Sequence, residues 1–171
     1  MQGYIQVYTG DGKGKTTAAL GLAVRAVGAG LRVYLGQFIK GREYSETKVL
    51  KARFPEVVLE QFGRGDFILG PPTPADIQAA RDGLARLRSA MLSGKYDIVI
   101  ADEAHTAAGL GLFPEDALVS LMREKPGNVE LVLTGRGAGP AVLAAADLVT
   151  EMKCVKHYYD AGVDGRPGLE S

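Results

Sequence analysis

Between residues 9 and 17 the chain reads Thr9-Gly10-Asp11-Gly12-Lys13-Gly14-Lys15-Thr16-Thr17, and these residue types in this order suit the holding of phosphate. Glycines let the backbone curl until its N–H groups face phosphate oxygens, Lys15 supplies a charge, and the Thr16 hydroxyl can ligate Mg²⁺. The general pattern G-x-x-x-x-G-K-[ST] begins with Gly, whereas Thr9 stands in that place here. A second run, Ile98-Val99-Ile100-Ala101-Asp102-Glu103, is an apolar stretch ending in two carboxylates. In phosphate-loop proteins an acid at such a strand end holds Mg²⁺ directly or through water. The same pair also suits capping of the helix that follows.

Both runs need a strand, a tight loop and a helix to position them, and the period of the apolar residues predicts those elements. Strands are expected at Tyr4 to Tyr8, Leu31 to Phe38, Val57 to Gln61, Asp97 to Ala101, Val129 to Thr134 and Leu148 to Met152. Helices are expected at Lys15 to Gly30, Ser45 to Arg53, Pro74 to Leu92, Pro114 to Arg123 and Gly139 to Ala146. The apolar run before Asp102 suits a strand buried on both faces. This alternation predicts an α/β fold, a mainly parallel sheet between two helical layers with right-handed crossovers. The stretch from Phe62 to Pro74 holds Gly63, Gly65, Gly70, Pro71, Pro72 and Pro74. It reads as a long loop, a class that is usually functional or mobile.

Composition narrows the function classes. With 171 residues the chain is sized for one compact domain, and residues 160–171 read as a surface tail. Lys and Arg number 20 against 20 Asp and Glu, so no global basic field favours nucleic acid or an anionic membrane. No run reaches the roughly 18 apolar residues of a membrane span, and the N-terminal residues lack a signal-peptide pattern. The single Cys154, with only His105 and His157 beside it, excludes an internal disulfide and argues against structural zinc. A reducing, cytoplasmic setting is expected. Cys154 itself reads as a small buried residue near a strand end.

Residues 102–105 spell Asp-Glu-Ala-His, the signature of one helicase class. Such enzymes need two domains forming an ATP cleft and basic grooves along nucleic acid, which a neutral chain of this length does not offer. A closer resemblance runs through most of the chain. Besides residues 8–21, it rests on Gln37-Phe38-Ile39-Lys40-Gly41, the Asp102-Glu103 strand end, Leu133-Thr134-Gly135-Arg136, residues 145–152 and Val155-Lys156-His157. In these blocks the sequence resembles the phosphate-loop corrinoid adenosyltransferase family, in which Thr at the position of Thr9 is normal.

That resemblance implies a three-layer phosphate-loop NTPase-like fold and one ATP-binding domain over residues 1–171. It implies transfer of the 5′-deoxyadenosyl group of ATP to a reduced Co(I) corrinoid, with release of triphosphate, in adenosylcobalamin biosynthesis or salvage. The alternative is a phosphate-loop kinase or ATPase acting on the γ-phosphate. The implied reactants are ATP, the corrinoid and Mg²⁺ or Mn²⁺, with a flavin or protein reductant and a homodimeric assembly. Thr9, Gly10, Asp11, Gly12, Lys13, Gly14, Lys15, Thr16 and Thr17 would cradle the nucleotide. Lys15 and Glu103 would be catalytic, with Thr16, Glu103 and Asp102 around the metal.

Arg136, at the strand edge where open α/β sheets bind ligands, contacts triphosphate or forms a surface ion pair. Family members pack apolar side chains below the corrin ring to remove its lower axial ligand. Phe67 is the candidate here, with Phe62 and Ile68 behind it, although the Trp of some members is absent and plain loop anchoring fits these residues equally. His105, which departs from the residues usual after Asp-Glu, is expected to be exposed sooner than to line the corrinoid cleft. Lys156 and His157 match the family's end motif without a defined role.

Overall fold

The computed structural model describes residues 2–65, 68, 70–166 and 168–169. Six strands, β1 (Ile5–Thr9), β2 (Val33–Gln37), β3 (Val57–Gln61), β4 (Ile98–Asp102), β5 (Glu130–Thr134) and β6 (Leu148–Glu151), form one sheet in the order β3-β2-β4-β5-β1-β6. Every neighbouring pair runs parallel. Parallel neighbours need crossovers that pass over the sheet, and the helices supply them: α1 (Lys15–Gly28), α2 (Ser45–Arg53), α3 (Pro74–Leu92), α4 (Ala104–Gly109), α5 (Glu115–Arg123) and α6 (Pro140–Ala145).

The two-residue period of the strands divides the interior into two cores. Val7, Val99, Leu131 and Leu133 pack with Ala80 and Leu87 of α3, Leu118 of α5 and Val142 of α6. Val33, Leu35, Ile98, Ile100 and Val132 meet Ala19, Ala23 and Ala26 of α1 and Leu50 of α2 on the other face. Strands covered on both sides have no polar face to present, which is why β4 is buried at all five positions. The order places β1 and β4 on either side of β5, so the C-terminal ends of all three open at one edge beside the N-terminus of α1.

Most expected elements appear within two residues of their observed ends, and α2, β3 and α3 coincide with them. The helix α4 was not expected. Cys154 was expected to be buried, but it follows the edge strand β6, whose four residues are all exposed, and it is itself exposed. The expected C-terminal tail is entered by a 3₁₀ turn, Tyr158–Ala161, and the Leu169 carbonyl comes back to accept a hydrogen bond from Lys13 Nζ at 2.5 Å.

Candidate functional site

The phosphate-loop sequence lies between β1 and α1. Gly14 caps α1 with φ 119° and offers no side chain to its first turn, which contains no acidic residue. The unpaired first-turn N–H groups and the positive dipole end are left for an anion. Gly10, at φ 93°, and Gly12 are also required by close approach. An added Cβ would lie 2.5 Å from the Met152 carbonyl oxygen at Gly10 and 2.7 Å from the Lys153 carbonyl carbon at Gly12. Gly12 N–H donates to that Met152 carbonyl at 2.7 Å, so the segment after β6 braces the loop. Thr9 Oγ1 accepts from Ala138 N–H at 3.2 Å, tying the loop to the turn that carries Arg136. A glycine at position 9 could not make that bond.

Lys15 is buried, and its ammonium donates to the Gly10 and Gly12 carbonyls at 2.5 and 2.8 Å. Burial lowers its pKa, with Arg136 adding to the effect and Glu103 and Asp11 opposing it. Arg136 is exposed and forms no ion pair among the described residues; its N–H donates to Thr106 Oγ1 at 3.1 Å. Asp11, Lys13 and Thr17 are exposed on the outside of the loop.

Asp102 closes β4 and is wholly buried. Its Oδ1 accepts from Thr16 Oγ1 at 2.8 Å and Thr134 Oγ1 at 2.7 Å. Its Oδ2 accepts from Gln37 Nε2 at 3.1 Å and Lys40 Nζ at 3.0 Å. For Lys40 burial disfavours the charge, but Asp102, by charge and by hydrogen bond, together with Glu103 and Glu46 overcomes it and raises the pKa.

Glu103 adopts a left-handed conformation, φ 59°. This is uncommon for a residue with a Cβ and costs of order 1–3 kcal/mol. The turn it makes between β4 and α4 is held by its N–H donating to Thr134 Oγ1 at 3.0 Å. Thr106 Oγ1 donates to Glu103 Oε2 at 2.5 Å, and among the described residues Oε1 accepts no hydrogen bond.

These oxygens suit a hard divalent cation. Mg²⁺ takes one or two carboxylates and completes its shell with phosphate and water. Glu103 has a free carboxylate oxygen, and Thr16 presents a hydroxyl beside the phosphate loop. No cluster of three or more His, Cys, Asp or Glu side chains able to hold a metal occurs among the described residues.

Beside this site, beyond the ends of β2 and β3, lies a cavity of about 390 Å³ whose lining includes Ile39, Phe62, Arg64, Ile68 and Leu112. Two of its walls are loops packed backbone to backbone. A Cβ on Gly41 would stand 2.2 Å from the Gly65 nitrogen, and one on Gly63 would stand 2.2 Å from the Ile39 carbonyl oxygen. Ile39 has φ 67°, and Lys40 N–H donates across it to the Phe38 carbonyl at 2.7 Å. Such a tight, strained turn sends Ile39 to the cavity and Lys40 to Asp102.

Phe62 has its ring in the core, 5.1 Å from that of Phe38, where Gly36 and Gly83 leave room for it. Ile68 is half-buried against the same core, and Phe67 lies outside the described residues.

His105 was expected to be exposed, but only 2 % of it is. The short helix α4 turns it inward, to a pocket of about 150 Å³ shared with Glu115 and Gly139. Burial pushes its pKa down to about 4, with the Leu133 backbone acting weakly the other way. His157 is half-buried, its Nδ1 accepting from Tyr159 N–H at 3.1 Å, and Lys156 is exposed.

Sequence reasoning assigned no part to Lys40, Gln37, Thr134 or Thr106. A signal was present in Gln37 and Lys40, two polar residues flanking the end of an apolar strand, but their common partner is Asp102, more than 60 residues further along.

The family described as ATP:corrinoid adenosyltransferase BtuR/CobO/CobP matches residues 1–171. The chain is 34% identical to the corrinoid adenosyltransferase of Pseudomonas aeruginosa and 35% identical to that of Escherichia coli K12, with 99% of this chain and 84% and 86% of those proteins aligned. It is also 38% identical to an uncharacterised Nostoc protein, over 92% of this chain and 45% of that longer one. The match spans the phosphate loop, the Asp102-Glu103 turn and the loops around the cavity together, and the chain belongs to the ATP:corrinoid adenosyltransferase BtuR/CobO/CobP family.

Proposed function

We propose that the chain transfers the 5′-deoxyadenosyl group of ATP to a Co(I) corrinoid, with the triphosphate on the phosphate loop and the corrinoid entering from the cavity lined by Ile39, Phe62 and Ile68. One observation carries this reading: a phosphate loop joined through Thr16 and Asp102 to Lys40, whose neighbour Ile39 lines that cavity. Anion site and cavity thus share one polar connection.

In the reaction the cobalt electron pair forms the Co–C5′ bond, the C5′–O bond breaks, and triphosphate leaves with the pair of that C–O bond. Co(I) is already a strong nucleophile, so the protein needs no base. It must align cobalt with C5′ and stabilise the charge of the departing triphosphate. The α1 N-terminus and the loop N–H groups suit the second task. Lys15 would exchange its bonds to Gly10 and Gly12 for phosphate oxygens, and exposed Arg136 is free to turn to the same anion. A divalent cation, which Thr16 and Glu103 would hold with Asp102 behind them, supplies further charge stabilisation at the phosphates.

Phe67, with Phe62 and Ile68 as the next candidates, is proposed to exclude the lower cobalt ligand. Phe67→Ala should then lower the four-coordinate fraction of bound Co(II) corrinoid and leave ATP affinity nearly unchanged. An unchanged fraction in the Co(II) spectrum would reduce Phe67 to a packing residue. A homodimer, a flavin or protein reductant and a cytoplasmic setting complete the proposal and rest on the family resemblance and the lone cysteine; no helix among the described residues is long and apolar enough to cross a membrane.

The test is product analysis with ATP, Mg²⁺ and chemically reduced corrinoid. Triphosphate and alkylated corrinoid should form in equal amounts. Release of ADP would support the γ-phosphate alternative instead.

A further inference from the structure

Asp102 is a wholly buried carboxylate, and the one ion pair it makes among the described residues is with Lys40. The pair is built in. Lys40 leaves β2 through the strained turn at Ile39, its side chain is 14% exposed, and it has further partners in Glu46 at 3.9 Å and the Tyr44 ring at 5.7 Å. The two oxygens of Asp102 face different ways: Oδ1 holds the Thr16 hydroxyl on the phosphate-loop side, and Oδ2 holds the ammonium. A buried carboxylate without a counter-charge would be costly and would repel an incoming triphosphate. A divalent cation held by Thr16 and Glu103 in front of Asp102 would in turn repel the ammonium on that carboxylate.

We propose that Lys40 is the site's resident counter-ion, neutralising Asp102 until a divalent cation arrives with the nucleotide and then turning to the triphosphate. The inference rests on the cation reading of Thr16, Asp102 and Glu103 given above. It makes Lys40 a specificity device: a cation alone must compete with an attached ammonium, whereas cation and triphosphate together replace both halves of the ion pair. Lysine suits this task because its ammonium is a point charge on a flexible stem, able to change partners without the fixed fork of arginine.

The experiment is Mn²⁺ binding followed by EPR of the unbound ion, with and without ATP and without corrinoid. In Lys40→Met, Mn²⁺ alone should bind at least about tenfold more tightly than in the unaltered protein, because no ammonium opposes it at Asp102. ATP with Mn²⁺ should bind at least about fivefold more weakly, because the triphosphate has lost a cation. A merely structural role would weaken both. Lys40→Gln, which keeps a donor toward Asp102, carries the same expectation if Lys40→Met does not fold. Mn²⁺ alone binding no more tightly in the folded variant overturns the proposal. Asp102→Asn and Glu103→Gln separate the two layers. If neither changes Mn²⁺ affinity in the presence of ATP, the cation reading fails and the role of Lys40 fails with it. If either does while Lys40→Met leaves Mn²⁺ alone unaffected, only the Lys40 role is lost.

Discussion

Among the described residues the buried ammonium of Lys15 bonds only to the phosphate loop's own carbonyls, which makes its removal informative. Lys15→Ala deletes a charge aimed at phosphate without leaving a charged partner behind. It should therefore lower turnover at saturating ATP at least about tenfold, equivalent to about 1.4 kcal/mol, with little change in thermal midpoint. Unchanged turnover would mean that the loop is not used in the reaction. Glu103 allows a different separation. Glu103→Gln keeps the acceptor for Thr106 but removes the charge, so the Mg²⁺ concentration for half-maximal rate should rise several-fold while the fold persists. A rate that responds to Mg²⁺ as before would place the cation elsewhere. Asp102 differs in kind: Asp102→Ala removes the nearest counter-charge of the buried Lys40 ammonium and should cost about 3–5 kcal/mol of stability, read as a large drop in denaturant midpoint.

At the level of elements, one ring fills the space between α3 and β2 beside Leu87. Phe62 fits between Gly36 and Gly83, and a Cβ on Gly83 would fall 2.3 Å from its Cγ. Gly83→Ala would ordinarily favour a helix by about 1 kcal/mol. Here overpacking should outweigh that gain and destabilise the protein by about 1–3 kcal/mol, visible as a lower thermal midpoint. A higher midpoint would show that the ring moves aside freely.

Periodicity made the sheet and the long helices legible, because strands buried on both faces and an amphipathic helix with Thr73 and Pro74 at its start leave strong local signals. It missed α4, whose six residues are too few to show a period. For the same reason His105 looked exposed: burial there comes from where α4 packs, not from its sequence. The phosphate loop and the Asp102-Glu103 pair were visible as motifs. Lys40 and Thr134 were not, since their meaning depends on which strand ends lie side by side.

Over the whole molecule, the buried histidine links fold to pH. With its pKa pushed down to about 4 from 6.5, folded His105 stays neutral where the unfolded chain takes up a proton. The unfolded state then binds more protons, so stability falls as pH drops from about 6.5 toward 4, by up to about 3 kcal/mol. Glu115 lines the same pocket. In His105→Leu the stability curve over this interval should flatten, as followed by denaturant unfolding; an unchanged slope would assign the acid sensitivity to other groups. The sheet edge that gathers the phosphate loop, Asp102, Lys40 and the neighbouring cavity is suited to present C5′ of ATP to a reduced corrinoid. The most direct measurement uses ATP carrying ¹³C at C5′, Mg²⁺ and Co(I) corrinoid, with the product followed by ¹³C NMR. A cobalt-bound ¹³CH₂ signal should grow in step with triphosphate; label retained in ADP, with phosphate as the other product, would instead show attack at the γ-phosphate.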